Sequence, residues 1–364
     1  MSRIYISATA QHAGKTTTSL GLYKLFEQQG KSVNYIKPIG QRSLVYHGHE
    51  VDEDAVLFKK NLKCKTPLEA MSAVTVPKGF TEKYIFHRNK AEIYDAIDRA
   101  VMQLDETSDM TIIEGTGHAG VGSVLDASNA TVACLMGAKA VIIAGGGIGK
   151  CLDQIALNQA LFQQENVELL GVVINKVLPE KYDKIKRVLT QGLQNMGIEC
   201  LGVIPYEPDL TFPTVEQLIE NCKFELLSGN EEQMQTHIEH NLVAALPPAK
   251  LREQIKENTM LIVPGGCANT LLGDNILSLD DKKTGDVSAV FFADGCKPSD
   301  GDLEQFKAMN IPVLFTVKDT YSVSTKLGSL VAKISPKDTV KVNNACQLME
   351  KYLDIEKILA RLKA

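Results

Sequence analysis

Short unbroken apolar runs alternate with amphipathic stretches through residues 3–205. The runs Arg3–Ser7, Ser32–Lys37, Met110–Glu114, Ala138–Ala144, Leu169–Asn175 and Glu199–Pro205 are rich in Ile and Val, and predict strands covered on both faces. Helical periodicity falls at Thr16–Gln29, Asp52–Asn61, Lys90–Asp105, Val124–Met136, Cys151–Gln164 and Glu180–Met196. Strand and helix in strict alternation predict an α/β fold with a doubly wound, mostly parallel sheet.

Two prolines punctuate the polar stretch Tyr206–Pro213 and mark a boundary. A second alternating series follows, with strands at Met260–Val263, Ala289–Ala293 and Val313–Val317. Its helices fall at Pro248–Ile255, Ala268–Leu277, Asp302–Met309 and Tyr321–Val331. Asn344–Leu362 reads as one or two amphipathic helices. The pattern divides the chain into residues 1–210, a smaller α/β domain at 211–335, and a helical tail at 336–364.

A hydrophobic content of 44% is ample for packed cores, and a net charge of −5 argues against nucleic acid or an anionic membrane as partner. The eight cysteines form no CxxC pair, the usage of reduced thiols in a cytoplasmic protein. Met1-Ser2-Arg3 runs straight into the first strand and leaves no room for a signal peptide. No apolar run approaches the ~18 residues that span a bilayer.

The first apolar run leads into Ala8-Thr9-Ala10-Gln11-His12-Ala13-Gly14-Lys15-Thr16-Thr17, with a helical pattern behind it. Strand, loop and helix around Gly-Lys-Thr predict a phosphate-binding loop, although Thr9 stands where the usual spacing asks for glycine. The segment His12–Thr17 would turn backbone N–H groups toward a nucleotide, with Lys15 on the β- and γ-phosphates and the Thr16 hydroxyl on Mg²⁺.

Ligands gather outside the carboxyl ends of strands in such sheets. Lys37 ends the second strand and is placed to meet a phosphate or an acidic substrate. Glu114 ends the third and stands where an acidic Mg²⁺ partner belongs. A nucleotide-bound Mg²⁺ takes one or two carboxylates, so one of Asp52 and Asp54 reaches it, with Asp54 the first choice. Gly145–Lys150, with Gly146 and Gly147 at its centre, either offers N–H groups to an anion or lets strand and helix pack closely. Asn175 and Pro205 end their strands where an adenine ring would lie. Cys267 follows Gly265-Gly266, but no histidine base accompanies it in the sequence, so no nucleophile is assigned there.

Taken together, the loop ending His12-Ala13-Gly14-Lys15-Thr16, with Lys37-Pro38, Asp54, Glu114, Asn175 and Val203-Ile204-Pro205, resembles the dethiobiotin synthetase-like group of P-loop proteins. That group includes the ATP-binding parts of cobyrinic acid a,c-diamide synthases and the N-terminal domain of long phosphotransacetylases. The resemblance implies ATP and Mg²⁺ as cofactors, Lys15 and Lys37 as catalytic lysines, and Thr16, Asp54 and Glu114 as metal ligands. It implies that Lys37 and the Gly145–Lys150 loop contact substrate and that Asn175 reads adenine. It also implies a homodimer or higher homo-oligomer. His12 stands where dethiobiotin synthetases carry an acid, which argues against their diaminononanoate substrate.

Residues 213–335 resemble the DRTGG domain that follows this unit in phosphotransacetylases, although the namesake residues are not evident. The catalytic half of those enzymes is not among these 364 residues. Two functions follow as expectations. One is an ATP-dependent enzyme that phosphorylates a carboxylate or carbamate for attack by an amine. The other is a nucleotide- and metabolite-sensing regulatory or scaffold protein. A ParA-like partitioning ATPase is disfavoured, because Thr9 and Ala10 stand where such proteins carry an additional lysine.

Overall fold

The computed structural model describes residues 2–105, 108–265, 268–274, 276–279, 281–328, 330 and 332–363. The chain forms two compact units, one of Met1–Glu207 together with Ile334–Ala364, the other of Pro208–Lys333.

In the first unit β1 (Ser2–Ala8) leads through the loop to α1 (Lys15–Gln28), then to β2 (Val33–Ile36). A short strand β3 (Ile39–Gly40) and a hairpin of β4 (Ser43–Tyr46) and β5 (His49–Asp52) precede α2 (Glu53–Asn61). Next come α3 (Leu68–Met71), β6 (Val74–Thr75), α4 (Phe80–Phe86), α5 (Lys90–Asp105) and β7 (Met110–Glu114). The series closes with α6 (Asn129–Leu135), β8 (Lys139–Gly145), α7 (Gly149–Gln164), β9 (Leu169–Val177), α8 (Tyr182–Asn195) and β10 (Cys200–Pro205).

The main sheet has the order β10-β9-β8-β1-β7-β2, with every pairing parallel. Ile4, Ile6, Ile112, Ile142 and Val173 are fully buried because helices cover both faces, which is why these runs read as continuous apolar segments. From β1 the chain crosses first to β2 on one side and later to β8 on the other. Strand order therefore reverses at β1, and the crevice at its carboxyl end is the expected ligand position.

One predicted helix is shorter than its periodicity suggested. Val124–Met136 becomes a 3₁₀ turn at Ser123–Leu125 followed by α6. Gly122 has a φ of 96°, Asp126 one of 55°, and the Ser128 side chain caps α6 by accepting from the Thr131 N–H. Those left-handed residues break the helix that the apolar spacing favoured. The β4–β5 hairpin escaped the pattern because its strands are short and half exposed. His47 and Gly48 both have positive φ and form its tight turn, a weaker form of the Asn-Gly hairpin signal.

The second unit contains α9 (Val215–Cys222), β11 (Glu225–Ser228), α10 (Glu231–Met234), β12 (His240–Val243) and α11 (Pro248–Gln254). It continues with β13 (Thr259–Val263), α12 (Ala268–Gly273), α13 (Lys282–Gly285), β14 (Val287–Phe292), α14 (Asp300–Ala308), β15 (Val313–Phe315) and α15 (Thr320–Gly328). Its sheet has the order β11-β15-β14-β13-β12, parallel except where β11 runs against β15. Alternation sends Phe291 and Phe292 of β14 to opposite faces. Phe291 meets Phe224 with ring centroids 4.5 Å apart, and Phe292 meets Phe306 at 6.0 Å.

The last helices, α16 (Thr339–Tyr352) and α17 (Ile355–Lys363), belong to the first unit. Helix α16 lies against α1, and a Cβ on Gly21 would fall 2.1 Å from the Met349 Cβ. The Asp354 N–H donates to the Leu201 carbonyl of β10 at 2.9 Å. Gly21→Val is expected to destabilise the protein by about 1–3 kcal/mol, as overpacking of a tight contact does, with the loss read from urea unfolding. Stability equal to wild type would refute the close helix contact. Among the described residues no helix is long and apolar enough to cross a membrane.

Candidate functional site

The loop after β1 is held from behind by neighbouring strands. Thr9 N–H donates to the Ile143 carbonyl at 2.9 Å, and Ala8 N–H to the Gly117 carbonyl at 3.1 Å. Asn175, on β9, donates its amide N–H to the Ala13 carbonyl at 2.9 Å, and the Lys176 ammonium donates to the His12 carbonyl at 2.8 Å. A trans peptide points its C=O and the following N–H in opposite directions. With the carbonyls of His12 and Ala13 turned toward β9, the N–H groups of Ala13 and Gly14 face the other way.

Gly14 is the N-cap of α1, with a φ of 103° and no side-chain cap. A Cβ there would lie 2.0 Å from the Asn175 amide nitrogen. Glycine is required twice over, by backbone conformation and by space. Lys15 and Thr16 open the helix directly behind it, and Thr17 follows. A helix N-terminus without a side-chain cap is the electrostatic setting that favours an anion.

The carboxyl ends of β7 and β2 bring a compact charged cluster beside Thr16. The Thr16 hydroxyl donates to Glu114 Oε1 at 2.8 Å, and the Tyr35 hydroxyl donates to Oε2 at 3.1 Å. Lys37, 6% exposed, places its ammonium on Asp54 and at 3.1 Å from Asp52. Both acids are brought there by the β4–β5 hairpin, which ends at Asp52, and by the first turn of α2. Asp52 caps that helix by accepting from the Asp54 N–H at 3.0 Å. Gly40 makes room for it, since a Cβ at 40 would fall 2.8 Å from its Oδ2.

Burial raises the Glu114 carboxyl above the ordinary glutamate range, and the nearby Asp54 charge raises it further; Lys37, Lys15 and the Thr16 hydrogen bond oppose this. Burial pulls the Lys37 ammonium toward neutrality, but Asp54, Glu114 and Asp52 outweigh it and keep the lysine charged. Asp52, Asp54 and Glu114 thus all act on Lys37, and Glu114 also feels Lys15.

Among the described residues no group of three or more His, Cys, Asp or Glu side chains can hold a metal unaided. The Thr16 hydroxyl and the Glu114 carboxylate, 2.8 Å apart, are oxygen donors of the kind that Mg²⁺ takes together with water and phosphate.

Gly145–Lys150 leaves β8 at the same sheet edge. Gly147 has a φ of 124°, and a Cβ at Gly146 would lie 3.4 Å from the Lys176 carbonyl, an ordinary contact distance. Both polar atoms of the Asn175 amide already meet backbone, its oxygen accepting from the Lys176 N–H at 2.8 Å. One N–H and one lone pair remain for a base edge. Pro205 ends β10, the outer strand beside β9. Cys267 and Gly266 lie outside the described residues.

Several supporting residues were invisible to sequence reasoning. Asn129 accepts from the Tyr5 hydroxyl at 2.8 Å and donates to the Thr116 and His118 carbonyls, fixing the loop after Glu114. Asn158 accepts from the Ala119 N–H at 2.7 Å in the same loop. Neither carries a local pattern, because both act across long sequence separations. Asp52 did carry one: an acid immediately before an apolar helix is a cap signal.

Residues 2–214 match the AAA domain family model AAA_26, and residues 217–330 match the DRTGG domain. The chain is 22% identical to a phosphate acetyltransferase of Nitratidesulfovibrio vulgaris over 99% of its own length and 51% of that protein's. It therefore spans about half the length of the phosphate acetyltransferases it matches. It is 26% identical to the ATP-dependent dethiobiotin synthetase BioD of Rhodococcus erythropolis, over 56% of this chain and 88% of that one. It is also 26% identical to a probable cobyric acid synthase of Methanocaldococcus jannaschii, over 58% of this chain and 46% of that one. With its family match covering more than half the chain, this protein belongs to the AAA_26 family of P-loop proteins and carries a DRTGG domain after the P-loop unit.

Proposed function

We propose that the first unit binds Mg-ATP on the loop at residues 9–17 and that the protein acts as a nucleotide-responsive regulator. The observation that carries the nucleotide reading is the meeting of Thr16 with Glu114 beside the Lys37–Asp54–Asp52 cluster, at the N-terminus of α1. In this reading the N–H groups of Ala13 and Gly14, with those opening α1, hold phosphate oxygens. Lys15 lies along the β- and γ-phosphates. Thr16, Glu114 and Asp54 would hold Mg²⁺, which when bound supplies charge neutralisation at the phosphate oxygens. Asn175 and Lys176 keep the loop carbonyls turned away from the anion.

The regulatory reading is favoured by the match to phosphate acetyltransferases across nearly the whole of this chain, its DRTGG domain included. A second reading, phosphoryl transfer to a carboxylate or carbamate, is favoured by Lys37 at the site and by the dethiobiotin synthetase relative. In that case Lys37 orients the acceptor while Lys15 offsets charge on the transferring group.

Calorimetry with ATP and Mg²⁺, run beside a hydrolysis assay, tests the proposal. Binding without turnover, whatever carboxylic acid or amine is added, is the expected result. Turnover stimulated by one such compound establishes the second reading, and absence of any binding overturns both.

A further inference from the structure

A cavity of about 380 Å³ lies in the first unit between α4, α5 and the strand β6. Its lining follows from helical spacing. Phe80, Lys83, Tyr84 and His87 recur at three and four residues, as do Ile93, Ala96 and Arg99 on α5, so one face of each helix turns to the space. Val74 and Ala73 complete an apolar wall, and Ala96 is the small residue that leaves it hollow.

The charge around this cavity is one-sided. Lys83, His87 and Arg99 line it and are exposed, and no hydrogen bond or ion pair engages their side chains among the described residues. Neighbouring cations are engaged: Arg88 pairs with Asp126, and the Lys90 ammonium sits 4.6 Å from the Tyr94 ring centroid. The one acid in the lining, Glu92, accepts from Asn89 at 3.1 Å as part of the turn that starts α5. The Tyr84 hydroxyl is committed to Asp126 at 3.0 Å, so Tyr84 offers its ring to the cavity and not its polar tip. The Phe80 and Tyr84 rings stack with centroids 6.4 Å apart.

An apolar wall beneath two unengaged cations, Lys83 and Arg99, selects a ligand with an apolar body and one anionic end. A free phosphate leaves the wall unused, and a neutral apolar molecule leaves the cations unpaired. The volume falls at the lower end of small-molecule sites, about 300–1,000 Å³. We propose that this cavity is a binding site for a small amphiphilic carboxylate, its chain against Val74, Phe80, Ile93 and Ala96 and its carboxylate at Arg99 and Lys83. The proposal does not rest on the nucleotide reading.

Octanoate is the probe, titrated by calorimetry into the wild-type chain and into Ala96→Phe and Arg99→Glu. The first variant fills the cavity; the second reverses the charge of an exposed side chain and leaves the wall intact. The expected result is saturable binding to wild type that weakens about tenfold or more in each variant, a difference of at least ~1.4 kcal/mol. Circular dichroism checks that each variant is folded, and should Ala96→Phe fail to fold, Arg99→Glu decides alone. Equal octanoate affinity in the folded variants and wild type, or no binding to wild type, overturns the site. Octanol binding as tightly as octanoate, or inorganic phosphate displacing it, overturns the ligand class. ADP titrated into the same proteins reports separately on the phosphate loop.

Discussion

Lys15→Ala is expected to weaken ATP and ADP binding by about a hundredfold. Charge-assisted hydrogen bonds from one ammonium contribute about 1.5–3 kcal/mol each, and ~2.7 kcal/mol corresponds to two decades of affinity. The Ala13 and His12 carbonyls keep their hydrogen bonds from Asn175 and Lys176 in the variant. Backbone N–H groups and the dipole of α1 therefore still recognise phosphate, and the loss is large but finite. The measurement is calorimetric titration of wild type and variant at one ionic strength, since screening weakens such contacts. Undiminished affinity in the variant would remove the nucleotide from this loop.

Lys37→Met is expected to cost about 3–5 kcal/mol of stability in the absence of divalent cations, the usual result of deleting one member of a buried charged set. The variant keeps a similar volume but strands Asp52, Asp54 and Glu114 close together in a site where each is at most 2% exposed. The protein answers that crowding by holding protons or by opening, and either reduces stability at neutral pH. A divalent cation offers a second answer. Adding Mg²⁺ should raise the unfolding midpoint of Lys37→Met by more than it raises that of wild type, because wild type already has an internal ammonium there. Thermal or denaturant unfolding with and without Mg²⁺ reads this directly. A variant as stable as wild type in the absence of metal would show that Lys37 is not what balances the three acids.

The framework of the first unit was legible because its strands are covered on both faces, so burial wrote itself as uninterrupted Ile and Val. Val33–Ile36, Met110–Glu114 and Leu169–Val177 emerge close to where the apolar runs placed them. What stayed hidden lacked periodicity. The β4–β5 hairpin is half exposed and tightly turned, yet it is the element that delivers Asp52 to Lys37. The strand pair β3–β6 joins Ile39 to Val74 across α2 and α3, a pairing that no local window can contain. The helix expected from Val124 begins only at Asn129, since backbone conformation at Gly122 and Asp126 overrode a plausible apolar spacing.

At the site, residue types at strand ends were informative and partners were not. Lys37, Glu114, Thr16 and Asp54 could be listed from the strand–loop–helix order, and the structure brings them together. Their engagements could not be listed, because Lys37–Asp52 depends on how close β5 comes to the end of β2, and Thr16–Glu114 on how close α1 comes to the end of β7. Asn175 illustrates the difference. Its position suggested a group facing a base; its amide also holds the Ala13 carbonyl and sets the room available at Gly14, contacts that no local pattern announces.

Residues Thr339–Tyr352 complete the unit that opens with β1, although the whole second unit intervenes in the chain. Met349 covers Gly21, the Cys346 thiol faces the Leu20 carbonyl, and Gln28 meets Glu350. During translation the helix carrying the phosphate loop emerges early and waits, one flank bare, while more than a hundred residues of another module are made. The last flank of that helix is supplied only after the second unit has been made. A gene fragment cut at the boundary between the two family matches would release a P-loop module missing part of its own wall, so the smallest self-sufficient version of that module is a discontinuous one.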